Sequence, residues 1–235
     1  MVPLRVLLDG VILRRGSFQL SASGTISEGV HLVTGPVGSG KSTLALALAG
    51  VLRPVAGQIG EEGIGSRTLS FPFPGYQVTG ETLEGEAVSW GLLPAPVLEA
   101  AGLSGRGAED PIRCSQGEVK RLVLSCILAR VWDLLILDEP YSSLDCAWKE
   151  AFSRQLGERR KGITILLTHE DEALPRVDEI WEIQAGRLIS LGRVPEAIPR
   201  WSRPPRYIRA ALEEGAIPEN ITPGDVRDAL CRTRG

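Results

Sequence analysis

Over residues 4–34, short apolar segments alternate with polar and glycine-containing breaks, as in Leu4-Arg5-Val6-Leu7-Leu8 and Ser17-Phe18-Gln19-Leu20. That alternation predicts a small antiparallel sheet. The run Val30-His31-Leu32-Val33-Thr34 predicts a buried strand, and the Ala- and Leu-rich segment 42–52 predicts a helix. A Gly- and Pro-rich stretch follows at 57–80, where Pro72 and Pro74 exclude a helix or a central strand. Helical periodicity returns over 82–103, with breaks at Gly91, Pro94 and Pro96, and a polar loop at 104–111 precedes another helix. In that helix Val119, Leu122, Val123, Cys126 and Ile127 fall on one face. The pattern then becomes strand 134–137, helix 147–156 and strand 163–168, with a closing hairpin over 179–190 that turns at Gly186. Strands alternating with helices predict an α/β fold with a mostly parallel sheet and a site at the strands' carboxyl ends. Segments 210–214 and 224–232 of the tail also read as helical.

Composition narrows the class. A chain of 235 residues is long enough for one α/β domain with a small added piece. Its net charge of −3 provides no general attraction for nucleic acid. The N-terminus lacks a signal-peptide pattern, and the longest apolar helix, near 122–132, is too short to span a bilayer. Any membrane role is therefore expected to run through a partner. Cys114, Cys126, Cys146 and Cys231 are widely spaced with no C-x-x-C pair, which indicates neither a disulfide framework nor a zinc site. A reducing, cytoplasmic setting is the expected one.

Two motifs carry the chemistry. Gly35-Pro36-Val37-Gly38-Ser39-Gly40-Lys41-Ser42 fits G-x-x-x-x-G-K-[ST] and lies between a predicted strand and a predicted helix, followed by Thr43. In that setting the glycines let backbone N–H groups curl around phosphate oxygens, and the helix N-terminus adds positive partial charge. Lys41 is placed for the β- and γ-phosphates and Ser42 for Mg²⁺. The second motif, Leu134-Leu135-Ile136-Leu137-Asp138-Glu139, is a buried strand that delivers two acids to the sheet edge. Asp138 is suited to hold Mg²⁺, and Glu139 to take a proton from an attacking water. Together the motifs predict a nucleoside triphosphate site. Ser115-x-x-Glu118 is a capping box in its own right.

With three further elements in order, the chain resembles the nucleotide-binding subunits of ATP-binding cassette (ABC) proteins. Cys114-Ser115-Gln116-Gly117-Glu118 stands at the LSGGQ signature, Ser142-Ser143-Leu144-Asp145 at the D-loop, and Leu167-Thr168-His169 at the switch histidine. The resemblance covers about residues 4–192 and is nearest to the energy-coupling-factor and cobalt-type importers. It implies a P-loop NTPase fold with an N-terminal antiparallel β subdomain and a short helical subdomain at about 78–131, leaving 193–235 as a helical extension of a 1–192 domain. ATP and Mg²⁺ are the implied ligands. Two subunits, identical or not, would face head to tail, with Ser115 and Gly117 of one reaching the γ-phosphate held by the other, and with His169 as a γ-phosphate sensor. A transmembrane subunit would be the further partner, placing the chain on the inner face of the membrane.

Departures from the family pattern are informative. When 71–83 is laid on the Q-loop of cobalt- and vitamin-importing ATPases, the metal-contacting glutamine falls on Pro72, whose side chain cannot bind a metal. Either Gln77 is then the substitute metal contact, or coupling is altered. Cys114 and Gln116 replace the usual Leu and Gly of the signature, and Arg15 stands where an aromatic residue stacks on adenine, with Phe18 nearby. A Trp- and Tyr-containing arginine series at 193–209 marks the tail. Two other readings stay open at this point: a soluble ABC ATPase unrelated to transport, and a regulatory nucleotide-binding subunit with little turnover.

Overall fold

The computed structural model describes residues 3–159 and 161–233. The first strands are β1 (Arg5–Arg15) and β2 (Phe18–Ser27), an antiparallel hairpin in which Arg15 pairs with Phe18 across a turn at Gly16. Along β1 the buried residues are Val6, Leu8, Val11 and Leu13. The register shift between Leu8 and Val11 falls at Gly10, whose φ of 56 lets the strand bulge and return its apolar residues to one face. β3 (Gly29–Thr34) leads to the phosphate loop and α1 (Lys41–Leu48). α1 stops short of the predicted 52 because Gly50 takes a left-handed φ of 78.

Two strands lie inside the Gly- and Pro-rich stretch that the pattern left irregular, β4 (Ala56–Glu62) and β5 (Arg67–Ser70). They occupy the two edges of the sheet, and β4 exposes most of its residues, so neither has the apolar alternation of a half-buried strand. Pro72 and Pro74 come after β5, and Pro74 opens a single 3₁₀ turn. The helical region contains α2 (Leu83–Ser89), capped by Thr82, and α3 (Pro94–Ala100), which Pro94 begins rather than breaks. α4 (Gln116–Leu128), β6 (Leu134–Asp138), α5 (Cys146–Gly157) and β7 (Ile163–Leu167) follow, then β8 (Glu179–Gln184), β9 (Arg187–Arg193), α6 (Arg206–Glu213) and α7 (Pro223–Thr233).

Among the described residues the strands form one nine-stranded sheet in the order β4-β1-β2-β9-β8-β3-β7-β6-β5. β8, β3, β7, β6 and β5 run parallel, whereas β1 is antiparallel to both β2 and β4. The antiparallel arm joins through two parallel pairs, Ser21 with Arg187 and Ala22 with Leu188. This is a P-loop NTPase-like α/β fold with an N-terminal antiparallel subdomain and added helices. Alternate residues of the central strands serve two cores. Leu135 and Leu137 face α4, α5 and the tail, while Leu134 and Ile136 face α1 and the β arm. A third cluster joins Leu83, Leu98 and Leu103 to Leu122 and Cys126 of α4. α4 is thus buried on two sides, wider than the single face its periodicity predicts. The tail contributes Trp201, Ile208, Ile221 and Val226 to the main core, and the Asn220 side chain bonds both backbone groups of Val177 at 2.9 Å. No helix among the described residues is long and apolar enough to cross a membrane.

Candidate active site

The phosphate loop connects β3 to α1, and its backbone explains its glycines. Gly35, Gly38 and Gly40 have φ of 154, 80 and 103. A β-carbon at Gly40 would lie 2.5 Å from the Phe18 ring, so the tip of the β1–β2 hairpin packs directly on the loop. Lys41 is buried, and its Nζ donates to the Gly35 carbonyl at 2.8 Å and the Pro36 carbonyl at 3.4 Å. The same Nζ lies 3.5 Å from Glu139 Oε1. A cavity of about 390 Å³ runs from Arg15 and Phe18 past Lys41 and Ser42 to Pro72, Glu139 and His169, with Val37, Gly38, Gly40 and Thr43 along its wall.

The acids arrive as the strand pattern predicts. Asp138 ends β6 beside Leu167 of β7, and Glu139 extends the ladder by donating its N–H to the Leu167 carbonyl at 2.8 Å. Glu139 then turns with a left-handed φ of 49. Its Oε2 accepts from the Thr168 hydroxyl at 3.0 Å and the His169 N–H at 3.3 Å, and its Oε1 lies 2.8 Å from His169 Nδ1. The His169 side chain is 62% exposed, so it remains open to the cavity. Burial raises the Asp138 carboxyl above its usual range, opposed by a hydrogen bond with Ser42 and by Lys41 and Lys120. Asp138 Oδ1 is buried with no hydrogen-bond partner among the described residues.

That unsatisfied oxygen, next to a hydroxyl at a helix N-terminus, fits a Mg²⁺ ion. Buried carboxylate oxygens are normally bonded. Mg²⁺ with a nucleotide takes only one or two protein ligands, the rest being waters and phosphate oxygens. No group of three or more His, Cys, Asp or Glu among the described residues forms an all-protein cage. Ser42 and Asp138 are therefore the residues that would hold it. Gln77 is not brought to them. Its Oε1 accepts from the Phe71 N–H at 2.8 Å and its Nε2 donates to the Leu69 carbonyl at 2.5 Å, so both ends of the amide staple the loop after β5.

The signature segment lies away from this cavity. Ser115 caps α4, with its hydroxyl accepting from the Glu118 N–H at 3.2 Å while Glu118 accepts from the Ser115 N–H at 2.7 Å. Arg106 pairs with Glu118 and, at 2.7 Å, with Glu109. Arg106 and the Ser115 N–H hold the Glu118 carboxyl down to about 2. Ser115 is exposed, whereas Gly117 is half-buried because a β-carbon there would meet the Ser143 carbonyl at 2.5 Å. Ser142 shares its hydroxyl between the Pro72 carbonyl at 3.2 Å and the Glu139 carbonyl at 3.0 Å, and Asp145 caps α5. Neither Ser115 nor Gly117 lines the cavity of its own chain.

Sequence reasoning missed Lys120. No motif singles it out, yet it is 0% exposed, and its Nζ donates to the carbonyls of Phe71 at 2.9 Å and Pro72 at 3.0 Å. Burial lowers it to about 8 against the pull of Asp138 and Glu139. Only the polar loop at 104–111 and the apolar residues on both sides of Lys120 could have signalled that α4 is enclosed.

No family model matches the chain. It is 34% identical over 188 positions to the thiamine import ATP-binding protein ThiQ of Cereibacter sphaeroides, covering 70% of this chain and 81% of that one. It is 36% identical over 194 positions to an energy-coupling factor transporter ATP-binding protein of Thermotoga maritima, covering 73% and 74%. A solved ATP binding subunit of an ABC transporter shares the fold with a TM-score of 0.68 at 20% identity, over 84% of this chain and 92% of that one. The similarity is spread across relatives of different transport systems and singles out no subfamily. The identity to these cassette proteins, the fold and the ordered motifs show that this chain is an ATP-hydrolysing subunit of the ATP-binding cassette family.

Proposed function

We propose that the chain drives a membrane importer of the energy-coupling-factor, cobalt or vitamin type, by closing head to tail with a second ATPase subunit and reopening after hydrolysis. The observation that carries the catalytic part is Glu139, oriented by Thr168 and His169 and facing Lys41 across the cavity. Glu139 takes the proton as water attacks the γ-phosphorus and the bond to the bridging oxygen breaks, releasing ADP and phosphate. Lys41 exchanges its bonds to Gly35 and Pro36 for the β- and γ-phosphate oxygens, with the backbone N–H groups of residues 38–43 completing the cradle. Ser42 and Asp138 would hold Mg²⁺, which would supply neutralisation of phosphate charge. His169 contacts the γ-phosphate and, through Glu139, registers its loss.

Ser115 and Gly117, at the N-terminus of α4, serve the nucleotide of the partner subunit. Phe73 and Tyr76 are 60% and 82% exposed and meet edge to face at 6.1 Å, which suits the loop to a helix end of a transmembrane subunit. In this reading, residues 1–192 form the nucleotide-binding domain, 193–235 form a helical extension, and the chain meets the inner face of the membrane only through its partner. The thiamine import named for one of the two relatives supports the direction of transport. The test is steady-state hydrolysis by wild type and Glu139→Gln over a wide protein-concentration range, with co-purification of tagged chain from membranes. Turnover that rises with concentration, falls at least about 100-fold in the variant and accompanies a polytopic protein is expected. Equal turnover in the two proteins overturns the assignment of Glu139.

A further inference from the structure

The catalytic reading leaves one buried cation unused. Lys120 lies just over one turn into α4, completely enclosed, and no carboxylate among the described residues is in salt-bridge contact with it. A buried ammonium is costly unless bonded, and a methionine would fill the same space without that cost. What the ammonium adds is two bonds, to the carbonyls of Phe71 and Pro72. The second of those carbonyls is shared with the Ser142 hydroxyl, which also reaches the Glu139 carbonyl. Pro72 itself lines the cavity with Lys41, Glu139 and His169. A path of contacts therefore runs from α4 through Pro72 and the bifurcated Ser142 hydroxyl to the peptide that carries the base.

Gly117 adds a second point of attachment, since it packs against the carbonyl of Ser143, adjacent to Ser142. The first two turns of α4, the loop after β5 and the turn after Glu139 are thus three parts of one unit. The Gln77 amide closes the same loop onto β5, so residues 71 and 72 have little freedom of their own.

We propose that Lys120 is a positioning residue for ATP hydrolysis, whose ammonium fixes the Phe71 and Pro72 carbonyls so that a shift of α4 is passed to Glu139. The assignment rests on Glu139 as the base. Lys120 does not touch the nucleotide; it sets where Pro72 and the Glu139 turn stand when the cavity is filled. In a chain whose loop carries proline at 72, the main-chain carbonyl is the group available for such a link, and a long cationic donor from α4 is what reaches it.

The experiment compares full-length wild type, Lys120→Met, Lys120→Arg, Lys120→Gln and Ser142→Ala, measuring Tm, affinity for a fluorescent Mg-ATP analogue, kcat and KM. Lys120→Met is expected to bind the analogue within about 3-fold of wild type and to lose on the order of 10- to 100-fold in kcat, the cost of a base displaced by a fraction of an ångström to an ångström. Lys120→Arg restores part of that loss, and Ser142→Ala reproduces a smaller part of it. A folded Lys120→Met with wild-type kcat overturns the proposal, as does a parallel loss of affinity, kcat and Tm, which would mark a packing role alone. Should Lys120→Met not fold, Lys120→Gln carries the test, and wild-type kcat in it overturns the proposal equally. Glu139→Gln measured alongside separates the two questions: full turnover there removes the base, whatever Lys120 does.

Discussion

Alanine at Gly117 and alanine at Gly224 are expected to act in opposite directions although the two glycines hold the same helical position. Each is the second residue of its helix, Gly117 after the cap Ser115 in α4 and Gly224 after Thr222 in α7, and neither has a left-handed φ. Helix propensity alone favours alanine over glycine at both by about 0.5–1 kcal/mol. At Gly224 the new β-carbon meets Thr222 Oγ1 at 3.7 Å, an ordinary contact. At Gly117 it meets the Ser143 carbonyl oxygen at 2.5 Å, and Ser143 has a left-handed φ of 66 that leaves its carbonyl little room to turn away. Normal C···O contacts begin near 3.3 Å, so main chain must move by most of an ångström, an overpacking cost of about 1–3 kcal/mol. The net expectation is a Tm lower by about 2–6 °C for Gly117→Ala and higher by about 1–3 °C for Gly224→Ala. The displaced carbonyl adjoins Ser142, bonded to Glu139, so Gly117→Ala should also lose on the order of 10-fold in kcat while Gly224→Ala keeps wild-type turnover. Thermal melts and phosphate-release assays on both variants decide it. If Gly117→Ala melts with Gly224→Ala and turns over normally, the tight contact between α4 and the turn after Glu139 does not exist in solution.

Glu86 is buried and accepts from the Thr79 and Gly80 N–H groups at 2.8 Å and the Trp90 indole at 2.7 Å, so Glu86→Ala strands three donors and should cost about 3 kcal/mol or more in urea unfolding. A change below about 1 kcal/mol would contradict this. Glu118 is more acidic folded, at about 2, than unfolded, near 4.3, so its stabilisation is present above the higher value and is lost as pH falls through the lower. The Tm difference between wild type and Glu118→Gln should shrink across that window, and a constant difference would refute the Arg106–Glu118 pairing. At the nucleoside end of the cavity, Phe18 is committed to Gly40 and Arg15 remains to stack on a base. Stacking reads no base edge, so kcat/KM for ATP and GTP should agree within about 10-fold, and a preference beyond about 100-fold would show a specific base contact. Asp138→Asn keeps the shape of the site but removes the charge that would hold Mg²⁺, so half-maximal activation should need at least about 10-fold more Mg²⁺, with protein stability unchanged or raised.

The parts of the fold and site that could be read from the sequence are those whose cause is local. A strand, a glycine-bearing loop and a helix in immediate succession identify the phosphate loop, because the φ values of Gly38 and Gly40 and the start of α1 follow from neighbouring residues. Four apolar residues ahead of Asp138, and serine three residues ahead of Glu118, are equally local, and both stand in the structure as the pattern predicts. β4 and β5 escaped because an edge strand with both faces partly wet has no period-2 signal, and pairing with β1 or β6 supplies the stability that pattern does not advertise. Gln77 and Lys120 are hard to read for a different reason. A polar side chain declares its chemistry but not its partner, and these two partners, main-chain carbonyls and an N–H near the end of β5, carry no side-chain signature at all. Separation along the chain makes it harder still: Lys120 reaches 49 residues back to Phe71, and Glu139 reaches 29 forward to Thr168. The second link joins two strand termini that a parallel sheet must bring together. The first depends on how a helix rolls against a loop, which periodicity does not determine. The groups that position a catalytic residue are therefore harder to read than the residue itself, and in this chain they lie where α4 meets the peptides of Pro72 and Ser143.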